Sequence, residues 1–225
     1  MKRTLQLVAL AAILVSLVMS MGARAANWEQ GVHYHELSQP QPVETGDQVE
    51  VIEFFWYGCP HCRDFEPTVL RWKEGLSDNV SFVQMPVMFG GSADLHAQVY
   101  YALEGIGELE RLHTKIFDAI HVDKRDLKSR EAIDAFLAEH DVDMAAFNEA
   151  MSSFAVAAKV NRARALMRRY GVRSVPTMVV DGRYRSGTGF KSYEDITAVV
   201  DHVVDKVLSS RKAQAARRGT PAKAM

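Results

Sequence analysis

The sequence predicts an α/β fold into which an all-helical domain is inserted. Segments with strand character occur in two groups, within residues 33–87 and 177–185. Between them, residues 92–152 show only the three- and four-residue spacing of apolar side chains that is typical of amphipathic helices. We therefore expect both groups of strands to join one sheet and the helical block to be an insertion. The chain has 225 residues, of which 48% are hydrophobic, so it can bury a substantial core.

The segments before the helical block alternate between strand and helix. Residues 33–37 predict a short edge strand, and the apolar run at residues 49–55 predicts a central strand. The next helix carries both cysteines of the chain and is expected to run to about Gly75. Residues 80–87 predict a further strand after this helix.

Strand character returns after a long amphipathic helix over about residues 156–170. Residues 177–180 predict a strand, Asp181-Gly182 is typical of a tight hairpin turn, and residues 183–185 predict the returning strand. A final helix is expected to begin near Ser192, because Ser192 and Asp195 have the spacing of a capping box.

The N-terminus predicts a cleaved secretion signal. Lys2 and Arg3 precede an apolar run over about residues 5–19, and residues 23–25 read Ala-Arg-Ala, the small-x-small form of a signal-peptidase site. The alternative is a retained membrane anchor, but the run is shorter than the ~20 residues that a spanning helix needs. We expect the mature protein to begin at Ala26 and to work in an oxidising compartment outside the cytoplasm.

Charge and length complete the predicted organisation. The chain has 27 basic and 28 acidic residues, and loss of a signal with three basic residues would leave a formal charge near −4. This balance gives no sign of a nucleic-acid-binding surface. The expected segments are a signal peptide at 1–25, a first sheet segment at 26–91, the helical insertion at 92–152, a connecting helix with the second sheet segment at 153–208, and a disordered basic tail at 209–225.

The only two cysteines lie in the sequence Cys59-Pro60-His61-Cys62 at the start of a predicted helix. Cys59 is expected at the helix mouth, where free backbone amides and the helix dipole stabilise a thiolate, and a cationic His61 would add to this effect. Cys62 shares the apolar face of the helix and is expected to be buried. Pro60 suits the first turn, where no amide donor is needed. This asymmetric dithiol indicates redox chemistry, and stabilisation of the thiolate favours an oxidising disulfide.

Two other uses of the cysteines fit the sequence less well. A structural disulfide that closes so short a loop would constrain the unfolded chain little. A zinc site would need two more ligands, and the sequence offers neither a second Cys-x-x-Cys nor a His-x3-5-His cluster. The sequence therefore predicts no metal.

Several segments together resemble the DsbA family of periplasmic disulfide-forming oxidoreductases, within the thioredoxin superfamily. They are Glu53-Phe54-Phe55 followed by Cys59-Pro60-His61-Cys62, then Phe89-Gly90-Gly91, the helical block, and Gly171-Val172-Arg173-Ser174-Val175-Pro176-Thr177. The resemblance covers about residues 28–208. It implies that the α/β part is a thioredoxin fold.

The resemblance also implies roles for individual residues. Cys59 would be the exposed nucleophile, Cys62 its buried partner, and His61 the residue that stabilises the Cys59 thiolate. Pro176 would be a cis-proline next to the disulfide. Val175 would pair with an extended substrate through its backbone, and Pro60 is expected to contact substrate too.

The resemblance matches Glu53 to a buried acid that assists proton transfer at the inner cysteine. The alternative is a strand residue that faces solvent. The family often places a lysine near this acid, and here Gln84 is expected to occupy that place. Burial without a cationic partner should raise the pKa of Glu53.

The predicted function is donation of the Cys59–Cys62 disulfide to reduced, unfolded secreted proteins. The resemblance implies reoxidation by a DsbB-like, quinone-linked membrane oxidase, and we expect a monomer that needs no cofactor besides its disulfide. The alternatives are a disulfide reductase or isomerase on the same fold, and a peptide-binding chaperone whose disulfide is incidental.

Overall fold

The computed structural model describes residues 27–218, which contain five strands and seven helices. The strands are β1 (Tyr34–Glu36), β2 (Val49–Phe55), β3 (Val80–Pro86), β4 (Thr177–Val180) and β5 (Tyr184–Ser186). The helices are α1 (Pro60–Glu74), α2 (Ser92–Gly105), α3 (Leu109–His121), α4 (Arg130–Ala138), α5 (Met144–Ser152), α6 (Phe154–Arg169) and α7 (Tyr193–Arg218).

The five strands form one sheet in the order β1-β5-β4-β2-β3. Strand β2 is parallel to β3 and antiparallel to β4, so the segments on both sides of the helical block meet along β2. Strand β1 pairs with β5 at an edge. The predictions of a central strand, of an edge strand and of one sheet are confirmed.

The sheet is covered on both faces because β2 is apolar on both faces. Val49 and Val51 belong to a core cluster with side chains of α1 and α7. Ile52 and Phe54, which alternate with them, belong to a second cluster that includes the inserted helices. Helices α2 to α5 occupy residues 92–152, and the cysteine helix α1 lies beside α7 and also contacts α3 of this insertion.

The hairpin between β4 and β5 follows the predicted turn. Asp181 and Gly182 have φ values of 55° and 59°, the positive φ that the two central residues of a tight Asp-Gly turn require. The turn is closed by the Arg183 amide, which donates to the Val180 carbonyl at 3.0 Å, and strand pairing resumes between Val180 and Tyr184. A Cβ atom at Gly182 would lie 2.2 Å from the backbone oxygen of Gln41. Glycine is therefore needed here for backbone conformation and for close approach.

The predicted capping box at the start of α7 is confirmed. The Asp195 amide donates to the Ser192 hydroxyl, and the Ser192 amide donates to the Asp195 carboxylate, both at 3.2 Å. Two of the amides that would otherwise be unpaired at the helix start are thereby satisfied.

The prediction of a disordered tail from residue 209 is wrong for its first half, because α7 continues to Arg218. The extension is rich in alanine, lysine and arginine, which favour helix. Arg211 also anchors it: its guanidinium donates to the Asp47 carbonyl and to the Asp181 carboxylate, each at 2.6 Å. The predicted signal peptide at 1–25 and residues 219–225 lie outside the described residues. Within 27–218, no helix is long and apolar enough to cross a membrane.

Candidate active site

Cys59 lies at the N-cap of α1, directly after the turn that follows β2. Its backbone is extended, and its amide donates to the Trp56 carbonyl at 2.9 Å. The turn needs Gly58, because a Cβ atom there would lie 2.3 Å from the Trp56 ring. The sequence thus places the first thiol where the unpaired amides of the helix start point outward.

The two cysteines differ in burial, although less than the sequence predicted. Cys62 is fully buried, whereas Cys59 is 8% exposed. Cys59 is more covered than an exposed nucleophile was expected to be, because its thiol lies against the Val175 carbonyl at 3.5 Å. Both cysteines are present as thiols.

The surroundings separate the acidities of the two thiols. The pKa of Cys59 is lowered to about 6, chiefly by a hydrogen bond from the Cys62 thiol, then by the backbone amides of Cys62 and His61 and by the His61 charge. The pKa of Cys62 is raised, first by burial and then by the hydrogen bond it gives to Cys59. A negative charge in this dithiol is therefore held on the outer sulfur.

His61 is exposed on the first turn of α1, beside the likewise exposed Pro60. Its Nδ1 lies 3.3 Å from the Tyr193 hydroxyl at the start of α7, and the Tyr193 ring stacks on Phe65. The charge of His61 lowers the pKa of Cys59, as predicted, but its effect is smaller than that of the Cys62 thiol. Sequence reasoning missed Tyr193, which only the packing of α7 on α1 brings here.

The loop between α6 and β4 forms the opposite wall of the site. The Val175–Pro176 peptide bond is cis, as the family resemblance implied. Val175 and Pro176 are half-buried, and the Val175 carbonyl accepts from the Cys59 thiol. The loop therefore brings a backbone edge next to the reactive sulfur.

Glu53 is buried under the site, 1% exposed, and is not a solvent-facing residue. Gln84 stands directly opposite it on β3, as predicted, and its side-chain nitrogen donates to Glu53 Oε2 at 2.9 Å. The pKa of Glu53 is raised to about 8, first by burial and then by the negative charge of Glu66, while the Gln84 hydrogen bond opposes the rise. The predicted direction of this shift is confirmed.

Glu66 is a buried residue of the site that sequence reasoning missed. The Gln84 side-chain nitrogen donates to Glu66 Oε2 at 3.1 Å as well as to Glu53. Glu66 follows Cys62 by four residues, a spacing that places both on one helix face. That spacing is the signal for Glu66 that the sequence contains.

His113 of α3 extends this buried group. Its Nε2 lies 3.3 Å from Glu66 Oε1, and its Nδ1 lies 2.8 Å from the Tyr57 hydroxyl. Two more histidines of the insertion hold the same turn: His121 donates to the Tyr57 carbonyl at 2.8 Å, and His96 accepts from the Trp56 indole at 3.1 Å. The inserted helices thus fix the turn that carries Cys59, which no local pattern could indicate.

Comparison with known proteins agrees with this geometry. The family model described as "DSBA-like thioredoxin domain" matches residues 50–201. The thiol:disulfide interchange protein DsbA of Pseudomonas aeruginosa is 37% identical over 207 residues, which cover 92% of this chain and 98% of the relative. DsbA of Azotobacter vinelandii is 40% identical over 182 residues, which cover 80% and 85%.

Solved structures give the same result. The crystal structure of Pseudomonas aeruginosa DsbA superposes with a TM-score of 0.79 at 39% identity, covering 84% of this chain and 98% of that one. The oxidoreductase NmDsbA1 of Neisseria meningitidis gives a TM-score of 0.74 at 26% identity, covering 83% and 97%. The chain belongs to the DsbA family of the thioredoxin fold.

Proposed function

We propose that this thiol:disulfide oxidoreductase acts as an oxidant that donates the Cys59–Cys62 disulfide to reduced, newly secreted proteins. The single observation that carries the proposal is the contrast between the two thiols: the pKa of Cys59 is lowered to about 6, whereas that of Cys62 is raised. A stabilised thiolate stabilises the reduced dithiol, and the disulfide then becomes a stronger oxidant.

The proposed reaction transfers one electron pair in two steps. A client thiolate attacks the Cys59 sulfur, so that a client–Cys59 disulfide forms while the Cys59–Cys62 bond breaks and Cys62 leaves. A second client thiolate then attacks the client sulfur of the mixed disulfide and releases Cys59 as a thiolate. The client is oxidised by two electrons and the enzyme is left as the dithiol.

Proton transfer at Cys62 is assigned to Glu53 in this proposal. The pKa of Cys62 is raised chiefly by burial, so Cys62 must gain a proton as it leaves. Glu53, with a pKa of about 8, holds a proton at neutral pH and has an acidity suited to donating it. Reoxidation of Cys62 returns the proton by the reverse route.

The exposed edge of the Val175 backbone is the proposed docking point for an extended client segment, with Pro60 at its border. We place the protein in the periplasm from its predicted secretion signal together with its membership of the DsbA family, and we assign reoxidation to a DsbB-like, quinone-linked membrane oxidase. The disulfide itself carries the electron pair, so no further cofactor is needed. The protein is expected to act as a monomer.

Two measurements on the mature protein test the proposal. The ultraviolet absorbance of the Cys59 thiolate should titrate near pH 6, and equilibration with glutathione should show a disulfide that glutathione reduces readily. When mixed with a client that carries a disulfide, a Cys62→Ser variant should accumulate a mixed disulfide: its Cys59 thiolate attacks one client sulfur, the other client sulfur leaves as a thiol, and no inner thiol is present to resolve the product. Cys59→Ser should not accumulate it. An ordinary thiol pKa together with a disulfide that resists glutathione would identify a reductase instead. If Cys62→Ser captured no client, the protein would be a peptide-binding chaperone whose disulfide is incidental.

A further inference from the structure

Three basic side chains converge on a polar cavity of about 460 Å³ beside the Val175–Pro176 bond. Arg173, Arg185 and His35 line this cavity, together with the active-site loop residues Ser174, Pro176 and Thr177. No aspartate or glutamate of the described chain lines it. We call this feature the basic cavity, and it adjoins the wall of the active site along which a client segment would lie.

The sheet itself brings two of these side chains together. His35 of β1 and Arg185 of β5 are directly opposed in the antiparallel ladder, so their side chains project from the same face of the sheet. The Arg185 guanidinium is fixed by hydrogen bonds to the carbonyls of Tyr170, at 3.2 Å, and Gly171 at the end of α6. It is therefore held in place before any ligand arrives.

The charges of the basic cavity lack an internal counter-charge. Within residues 27–218, neither Arg173 nor Arg185 has a carboxylate within ion-pair distance, whereas Arg183, two positions earlier on the hairpin, pairs with Glu36 at 3.4 Å. Two guanidinium groups that line one cavity without a carboxylate partner are left locally uncompensated, which is typical of a functional site.

Capping of α6 accounts for Arg185 alone. A guanidinium near the last carbonyls of a helix is favourable in its own right. It explains neither why Arg173, from the loop that ends in Pro176, borders the same cavity, nor why His35 is opposed to Arg185. A ligand with negative charge accounts for both arginines, and His35 can donate a hydrogen bond to it.

We propose that the basic cavity binds a carboxylate of the client protein, from an aspartate or glutamate close in sequence to the reacting cysteine. This inference rests on the proposed function, because it requires a client segment extended along Val175. In an extended segment alternate side chains point to opposite sides, so an acidic residue on one side of the cysteine can reach Arg173 and Arg185. The enzyme would thereby react faster with cysteines that have acidic neighbours.

The test measures the rate at which oxidised mature protein is reduced by dithiol peptides. Each peptide carries glutamate at one position on either side of the cysteine pair, and its matched control carries glutamine there. At low salt, glutamate at one or two positions on one side should raise the second-order rate constant about fivefold. The advantage should disappear in Arg173→Gln and at high salt.

Matched variants separate a local site from net charge. Arg168→Gln removes the same charge from an exposed position on α6 that does not line the basic cavity, and it should keep the glutamate advantage. Arg185→Gln should lose it. Because Arg185 also caps α6, the melting temperature of the Arg185→Gln protein is measured as well. If that variant does not fold, Arg173→Gln carries the test.

Three results would overturn the inference. Equal glutamate and glutamine rates at every position, or equal losses in Arg168→Gln and Arg173→Gln, would show that no local site exists. Competition by phosphate well beyond that of chloride at matched ionic strength would assign the cavity to a free anion. If the protein oxidises the glutamate and glutamine peptides at equal rates, the proposed function still stands and only this inference fails. If it oxidises neither set of peptides, the proposed function and this inference both fail.

Discussion

The side-chain nitrogen of Gln84 lies 2.9 Å from a carboxylate oxygen of Glu53, at directly opposed positions of the parallel strands β2 and β3. An amide supplies a hydrogen bond but no charge, so it offsets only part of the cost of burying a carboxylate. The pKa of Glu53 therefore remains at about 8, because burial and the nearby Glu66 both raise it. Glu53 consequently holds a proton at neutral pH.

A positive charge at position 84 should release that proton. We expect Gln84→Lys to lower the pKa of Glu53 by roughly 1–3 units, because an opposite charge within hydrogen-bond distance favours the carboxylate. Gln84→Met, which removes the hydrogen bond without adding charge, should raise it. The carboxyl carbon of Glu53 can be followed by NMR titration, and identical titrations in wild type and Gln84→Lys would contradict this account.

The raised pKa of Glu53 also makes stability depend on pH. The folded protein keeps the proton up to about pH 8, whereas the unfolded chain releases it near 4.5. This contribution is therefore complete below pH 4.5 and is lost as the pH rises through 8. Between pH 4.5 and pH 8, the unfolding free energy of wild type should therefore fall by roughly 3–5 kcal/mol more than that of Glu53→Gln.

Urea unfolding of the oxidised protein measures the difference without interference from the thiols. Glu74→Gln, at an exposed position of α1, serves as the control and should follow wild type at every pH. If the difference in unfolding free energy between wild type and Glu53→Gln stayed constant from acid pH to pH 8, Glu53 would not hold its proton in the folded protein.

The sequence predicted those parts of the fold that depend on local pattern. The apolar run of β2, the Asp181-Gly182 turn and the Ser192–Asp195 capping box each carry a period or a turn residue that specifies one backbone conformation. The position of Gln84 followed from family resemblance. These features need no knowledge of how distant segments pack.

The missing parts of the site depend on distant packing. Glu66 acquires its role only when β3 presents Gln84 to it, and His113 reaches Glu66 from a helix 47 positions further along the chain. Buried polar groups of this kind are identified by their partners, and hydrophobic periodicity records only that a helix face is buried. The covering of Cys59 by Val175 has the same cause, since the two residues are 116 positions apart.

Arg211 should contribute to the stability of the protein, although it lies in the segment predicted to be disordered. Its guanidinium is the ion-pair partner of Asp181, whose side chain is only 9% exposed. Arg211→Ala would leave this carboxylate without its cation and should cost about 1–2 kcal/mol of unfolding free energy. Thermal unfolding should show no such loss for Lys212→Ala, an exposed neighbour. Equal losses in both variants would argue against a specific anchor.

Two substitutions next to Cys59 should differ in their effect on its acidity. Cys62→Ala removes the thiol hydrogen bond that contributes most to the low pKa of Cys59, whereas a neutral residue at 61 removes only a charge on an exposed side chain. We expect both changes to raise the pKa of Cys59, and Cys62→Ala to raise it further. A hydrogen bond to the charged form acts directly on the sulfur, whereas the charge of an exposed side chain is screened by solvent. Thiolate absorbance against pH measures each shift, with Arg71→Gln, remote from the first turn of α1, as the control. A larger shift in His61→Ser than in Cys62→Ala would mean that the imidazole charge, rather than the inner thiol, sets the reactivity of Cys59.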